Sequence, residues 1–177
     1  MKTIAYMLLA AGALVALCYS CKGKNIVDDS TVKDFSLQRY LGSWYELARF
    51  DHSFEKNMSN CTATYSLKDD GTIRIINRGF NDRKFEWKDK EGKAKATKTP
   101  GLLRVSFFGP FYFDYRVMMV TPDYSYALVG GDDSDYLWVL SRTPDISPET
   151  KNAIIFEAEK RGYDTSRLNW IDQQRNM

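Results

Sequence analysis

Few side chains in this 177-residue sequence could carry chemistry. His52 is the only histidine, and it stands beside Asp51, two of the three groups that a Ser-His-Asp hydrolase uses. In an extended segment, however, neighbouring side chains project to opposite faces, and no Gly-x-Ser-x-Gly nucleophile elbow occurs anywhere. His52 therefore reads as a rim residue. With one His and three Cys, neither a multi-histidine zinc site nor a Cys-rich cluster can be assembled. No metal and no cofactor are expected. Cys61 is the remaining candidate nucleophile, yet its local sequence places no basic residue beside it that would lower the thiol pKa. No catalytic residue is assigned.

The composition narrows the partners further. The 25 Lys+Arg against 23 Asp+Glu leave a formal charge of +2, too small for the phosphate attraction that drives most nucleic-acid binding. The length suits one domain. Met1-Lys2-Thr3 is a short basic start, followed by an apolar run from Ile4 to Leu17 that is shorter than the roughly 20 residues of a membrane helix. Residues 1–20 read as a secretory signal peptide. The junction Leu17-Cys18-Tyr19-Ser20-Cys21 resembles a bacterial lipoprotein signal, in which a small residue precedes a cysteine linked to diacylglycerol. That resemblance makes Cys21 the lipidated residue, and Lys22, where an Asp would retain the protein at the inner membrane, implies the outer membrane. Cleavage near Ser20 to give a free secreted protein is the other reading. Residues 21–34 are expected to form a polar, lipid-anchored tether, and residues 35–177 the folded domain. With Cys18 removed and Cys21 acylated, Cys61 has no disulfide partner, so the fold must rest on its core.

Past residue 42, alternating apolar and polar residues are broken by turn signals about every 8 to 15 residues, the pattern of an all-β sandwich or barrel. Eight strands are expected: Ser43–Phe50, Cys61–Lys68, Thr72–Phe80, Lys84–Lys98, Leu102–Phe108, Phe111–Thr121, Ser125–Gly130 and Tyr136–Arg142. Asp69-Asp70-Gly71 is a tight hairpin corner. The period then changes. Ser147 can cap a helix that has Pro148 in its first turn and Ile154, Ile155 and Ala158 on one face, with Gly162 ending it and a ninth strand over Arg167–Ile171. Eight up-and-down antiparallel strands can stay open or close into a barrel, and closure removes the unpaired edges. One C-terminal α-helix would then pack outside.

Three short motifs suggest a family. Gly42-Ser43-Trp44-Tyr45-Glu46 resembles the Gly-x-Trp signature of lipocalins, Thr121-Pro122-Asp123-Tyr124-Ser125-Tyr126 resembles their Thr-Asp-Tyr motif with one residue inserted, and Arg142 stands where their third motif places an arginine. Tyr40–His52, Val105–Tyr112 and Asp135–Pro144 are similar to the bacterial outer-membrane lipoprotein branch, which also resembles apolipoprotein D. The resemblance spans about residues 35–171. It implies a calyx closed at the Gly-x-Trp end and open at the other, with Arg142 over the Trp44 indole. Gly42, Trp44 and Arg142 are therefore structural residues.

With Trp44 inward, period two turns Glu46, Ala48 and Phe50 inward as well, and Arg142 carries Tyr136, Trp138 and Leu140 with it. On the other strands the apolar parity turns Tyr65, Ile75, Asn77, Val105, Phe107, Tyr115, Val117 and Met119 inward. The ligand-binding set is accordingly Ala48, Phe50, Tyr65, Ile75, Asn77, Val105, Phe107, Tyr115, Val117 and Trp138. Those side chains could equally fill one another's gaps; the resemblance implies an accessible cavity. An apolar wall with few polar groups suits fatty acids, lysophospholipids and similar amphiphiles, which the protein would store or transport at the outer membrane, its barrel facing the periplasm. Phe50, Phe54, Phe108, Pro110 and Phe111 are expected at the open rim as a lid, a membrane-docking lip or a homodimer contact. Two other readings stand beside the carrier: a lipocalin-type enzyme using Cys61 on a lipophilic substrate, and a structural or stress-response lipoprotein with a filled core.

Overall fold

Alternation becomes strand at all eight expected places. In the computed structural model, which describes residues 26–53 and 55–174, these are β1 (Gly42–Phe50), β2 (Met58–Leu67), β3 (Ile73–Asn81), β4 (Glu86–Ala96), β5 (Leu102–Phe108), β6 (Phe111–Val120), β7 (Tyr126–Gly130) and β8 (Leu137–Ser141). Each pairs antiparallel with the next, and β1 pairs with both β8 and β2, so the sheet closes into a barrel. The Asp70 corner turns as expected, with Gly71 at φ +78 and the Asp70 carboxylate accepting from Thr72 N. The expected signal peptide, Phe54 and Cys21 lie outside the described residues.

Two elements frame the barrel. A one-turn helix that the alternation did not announce, α1 (Leu37–Tyr40), is capped by Ser36 and delivers Tyr40 into the barrel interior at the closed end. The expected outer helix is α2 (Pro148–Lys160), with Thr150 N donating to the Ser147 cap. Its Ile154 and Ala158 are fully buried against Ala48, Phe50, Met118, Leu128, Leu137 and Val139 on the outer faces of β1, β6, β7 and β8. Burying that apolar face is what holds the helix, which would be marginal alone.

Both flanking segments are tied to the wall. The ladder between β1 and β2 covers only Gly42–Tyr45. Above it, β9 (Leu168–Trp170) runs antiparallel to Ala48–Phe50, and the residues after it wedge between the two strands. Ile171 N donates to Leu47 O, Asn60 N to Asp172 O, and Gln173 Nε2 to both Glu46 O and Cys61 O. At the other end of the chain, Asp28 N donates to Arg161 O and Val32 N to Val117 O, while the Arg161 guanidinium bonds the carbonyls of Asp28, Ser30 and Met118. This corrects the expected tether: from Asp28 onward the segment 21–34 is held on the barrel, because its backbone groups find partners there.

The register carries a second correction. A bulge between Glu46 and Ala48 interrupts the pairing of β1 with β8. A bulge adds one residue to one strand and reverses the parity beyond it. Trp44 is inward, but Ala48 and Phe50 face α2 and Tyr163 in the outer cluster, while Arg49 turns into the barrel. A second bulge, between Val117 and Met119, likewise moves Met119 from the expected inner face to the outer cluster.

Candidate functional site

The closed end is built around Trp44. The Arg142 guanidinium lies 3.8 Å from the centre of the indole ring, and its N–H groups donate to Ser43 O, Arg39 O and Leu41 O. The indole N–H in turn donates to Tyr40 O at 2.8 Å. Gly42 fits this corner because its φ is +93 and a Cβ there would stand 3.4 Å from Arg142 Nη1. The Thr121–Tyr126 corner seats Tyr124, whose hydroxyl accepts from Ser36 N and whose ring carries the Arg39 guanidinium. All three motifs thus converge on one end of the barrel. They close it.

Above this base the interior is filled by tyrosines. Tyr40 packs on Trp44 with ring centres 4.9 Å apart, and the Tyr115 hydroxyl bonds those of Tyr40 and Tyr65 at 2.6 and 2.8 Å. Burial raises all three phenols above their ordinary value, so they stay neutral donors. Ile75, Val105 and Val117, expected as ligand contacts, are buried in the same inner cluster. The half-buried residues of the expected set are Asn77, Phe107, Tyr115 and Trp138. Phe107 leans on the backbone of Gly92, where a Cβ would stand 2.6 Å from its ring. Of these half-buried residues only Phe107 borders the cleft of about 290 Å³, whose other walls are Lys68, Arg74, Glu91, Gly92, Lys93, Ser106, Phe108 and Gly109.

Toward the mouth lies a polar cluster that simple alternation missed. Arg49, only 1% exposed, donates to Glu46 at 2.6 Å, to Asp51 at 2.9 Å and to the backbone carbonyl of Glu55, and its Nη1 is 3.6 Å from Cys61 Sγ. Burial raises the Glu46 carboxyl despite Arg49, and burial together with Glu46 pushes Glu55 up to about 8. Burial and Glu46 also push the Cys61 thiol up to about 12, which keeps it protonated at neutral pH. The clue in the sequence is Leu47-Ala48, two adjacent apolar residues that break the alternation of β1 and mark the bulge.

His52 and Asp51 are drawn apart. The His52 ring stacks on Tyr136, 4.3 Å between centres, with Nε2 3.1 Å from Asp135 O, whereas the Asp51 carboxylate is engaged by Arg49 and Asn169. On the rim, Phe108 and Phe111 are 64% and 67% exposed, and the Lys90 ammonium lies over the Phe108 ring at 4.2 Å. Phe50 is not with them, being packed near Tyr163 with centres 6.3 Å apart.

Comparison with known proteins agrees with this architecture. A lipocalin-like domain model matches residues 35–173. The outer membrane lipoprotein Blc of Escherichia coli strain K12 is 46% identical, covering 94% of this chain and 96% of that protein. The Blc of Vibrio cholerae is 49% identical over 81% of this chain and 85% of its own length, and mouse apolipoprotein D is 30% identical over 94% and 95%. Among solved structures, insecticyanin from the tobacco hornworm Manduca sexta superposes with a TM-score of 0.66 at 18% identity, over 82% of this chain and 85% of that one, which shows a shared fold. Motifs, closed barrel, family match and relatives together place this chain in the lipocalin family.

Proposed function

We propose that the protein is a non-enzymatic carrier that takes the apolar part of an amphiphilic lipid, a fatty acid or a lysophospholipid, into the upper half of its barrel. It stores or moves that lipid at the outer membrane. The observation that carries this reading is the grading of the inner wall, from the filled layer of Tyr40, Tyr65 and Tyr115 to the half-buried Phe107 and Trp138 nearer the mouth. An acyl chain laid on that wall gains about 25 cal/mol for each Å² removed from water. The likeness to proteins named outer membrane lipoprotein supports attachment through Cys21 with the barrel on the periplasmic side. The exposed Phe108 and Phe111 also suit contact between two barrels, which sedimentation would detect.

Titration of the purified protein with a fluorescent fatty acid tests the carrier reading. Saturable binding near one ligand per chain, reversed by lysophospholipid, is expected. Absence of saturable binding would favour a filled core. Turnover of a lipophilic substrate that Cys61→Ala abolishes would favour an enzyme, against which stands the buried, protonated thiol.

A further inference from the structure

Between β4 and β5 the barrel wall has a seam. β4 is laddered to β3 from Glu86 to Ala94, but to β5 only from the Lys93–Ser106 pair down to Ala96–Leu103. Toward the mouth β5 follows β6 instead, through a register shift between Val105 and Phe108 that pairs Phe108 with Phe111. The β4 margin from Glu86 to Gly92 is thus left with no strand partner on that side among the described residues. Side chains thin out at the same place. Gly92 stands opposite the buried Ile75, and Phe107 leans over it. Phe107 packs against the inner cluster and also borders the 290 Å³ cleft, so one ring is shared by the barrel interior and the cleft. The cleft is basic. Lys68, Arg74 and Lys93 border it with one carboxylate, Glu91, an excess of two positive charges. Arg74 answers Glu91 with bonds of 2.9 and 2.7 Å, and these, with the charges of Arg74 and Lys68, hold the Glu91 carboxyl below its ordinary value. Lys68 comes no nearer than 3.9 Å to Asp70, and the Lys93 ammonium lies 5.7 Å from the Tyr112 ring centre. Both ammoniums keep N–H donors for a guest.

We infer that the cleft is a head-group subsite for an amphiphile whose head is an oxyanion, carboxylate or phosphate: the head lies between Lys68 and Lys93 on the outer wall, and the chain passes the Phe107 ring through the β4–β5 seam into the upper barrel. The inference rests on the carrier reading and deepens it, naming the charge of the head and the side on which it lies. Each half of the ligand then meets what it needs. The oxyanion stays in contact with water and avoids the desolvation that burial beside Tyr40, Tyr65 and Tyr115 would impose. The chain has one half-buried ring to displace, and glycine at 92 puts no side chain in its path; a Cβ there would stand 2.6 Å from that ring. Exposed ion pairs are weak singly and screened by salt, so the preference for an anionic head is modest and salt-sensitive.

Dodecanoic acid, dodecyl phosphate and dodecanol, each competing with a fluorescent fatty acid on the full chain at pH 7, test the subsite. The oxyanions are expected to displace the probe at concentrations about three- to tenfold below the alcohol, a preference that about 1 M salt removes. If only one oxyanion outcompetes the alcohol, it names the head group and supports the subsite. Lys68→Glu combined with Lys93→Glu is expected to cancel the preference and to slow probe association about threefold in stopped-flow mixing, whereas Lys90→Glu, beside Phe108 at the mouth, does less. Phe107→Ala should speed association and Phe107→Trp slow it, and either variant reads the seam should the other fold poorly. Association unchanged in both would overturn passage through the seam. Equal affinities for acid, phosphate and alcohol, or a preference lost in Lys90→Glu but kept in the cleft pair, would overturn the subsite and leave the carrier standing. A probe that never binds saturably would refute the carrier itself, and the subsite with it.

Discussion

Arg142 stabilises the closed end by reach and shape as well as by charge. Its planar fork spans five backbone carbonyls, those of Arg39, Tyr40, Leu41, Ser43 and Tyr124, while its face covers the Trp44 ring, a geometry that an ammonium cannot copy. Arg142→Ala leaves those carbonyls without their donor and is expected to destabilise the fold by about 2 to 4 kcal/mol. Calorimetry should show the melting temperature fall by roughly 5 to 15 °C, with Arg142→Lys recovering little of it. Glu55 makes a different prediction. Its folded carboxyl, near 8, binds a proton more tightly than the ordinary value of 4.5, so its contribution is full below about pH 4.5 and is lost as pH rises through about 8. Urea unfolding should therefore report a stability lower at pH 8.5 than at pH 5, on the order of 4 kcal/mol, and Glu55→Gln should flatten that slope.

At the scale of elements, the bulge in β1 decides what the first strand does. It sends Phe50 under α2 and Arg49 into the barrel. Phe50→Ala should cost about 3 to 5 kcal/mol in urea or thermal unfolding, as for other buried Phe truncations, without changing how many ligands the barrel holds. A fall in ligand stoichiometry at retained fold would place Phe50 in the cavity after all. The alternation of β2 to β8, the cap at Ser147 and the motif residues Trp44 and Arg142 were legible because each depends on neighbours within a few residues or on a recurring signature. The outward turn of Ala48, Phe50 and Met119 was not, since one extra residue in a ladder reverses every side chain beyond it and is set by the partner strand. Arg49 was hidden for the same reason. Its acidic partners Glu46, Asp51 and Glu55 are close in sequence, but only the reversed parity brings them together inside.

Across the whole molecule, the barrel depends on its two flanking segments as much as on its hairpins. The segment after β9 supplies the hydrogen bonds that β1 and β2 do not make to each other above Tyr45. A chain ending at Trp170 is expected to keep hydrogen-exchange protection in β4 to β6 and lose it at residues 47–50 and 58–61. Uniform loss, or none, would show that the wedge does not act locally. That wedge also fixes an order of events during synthesis. Gln173 reaches back across 127 residues to Glu46 and 112 to Cys61, so these bonds must wait until every residue between them has been synthesised. Until then the nascent sheet carries two bare margins that invite pairing with other chains, and the latch falls into place only once Gln173 has emerged.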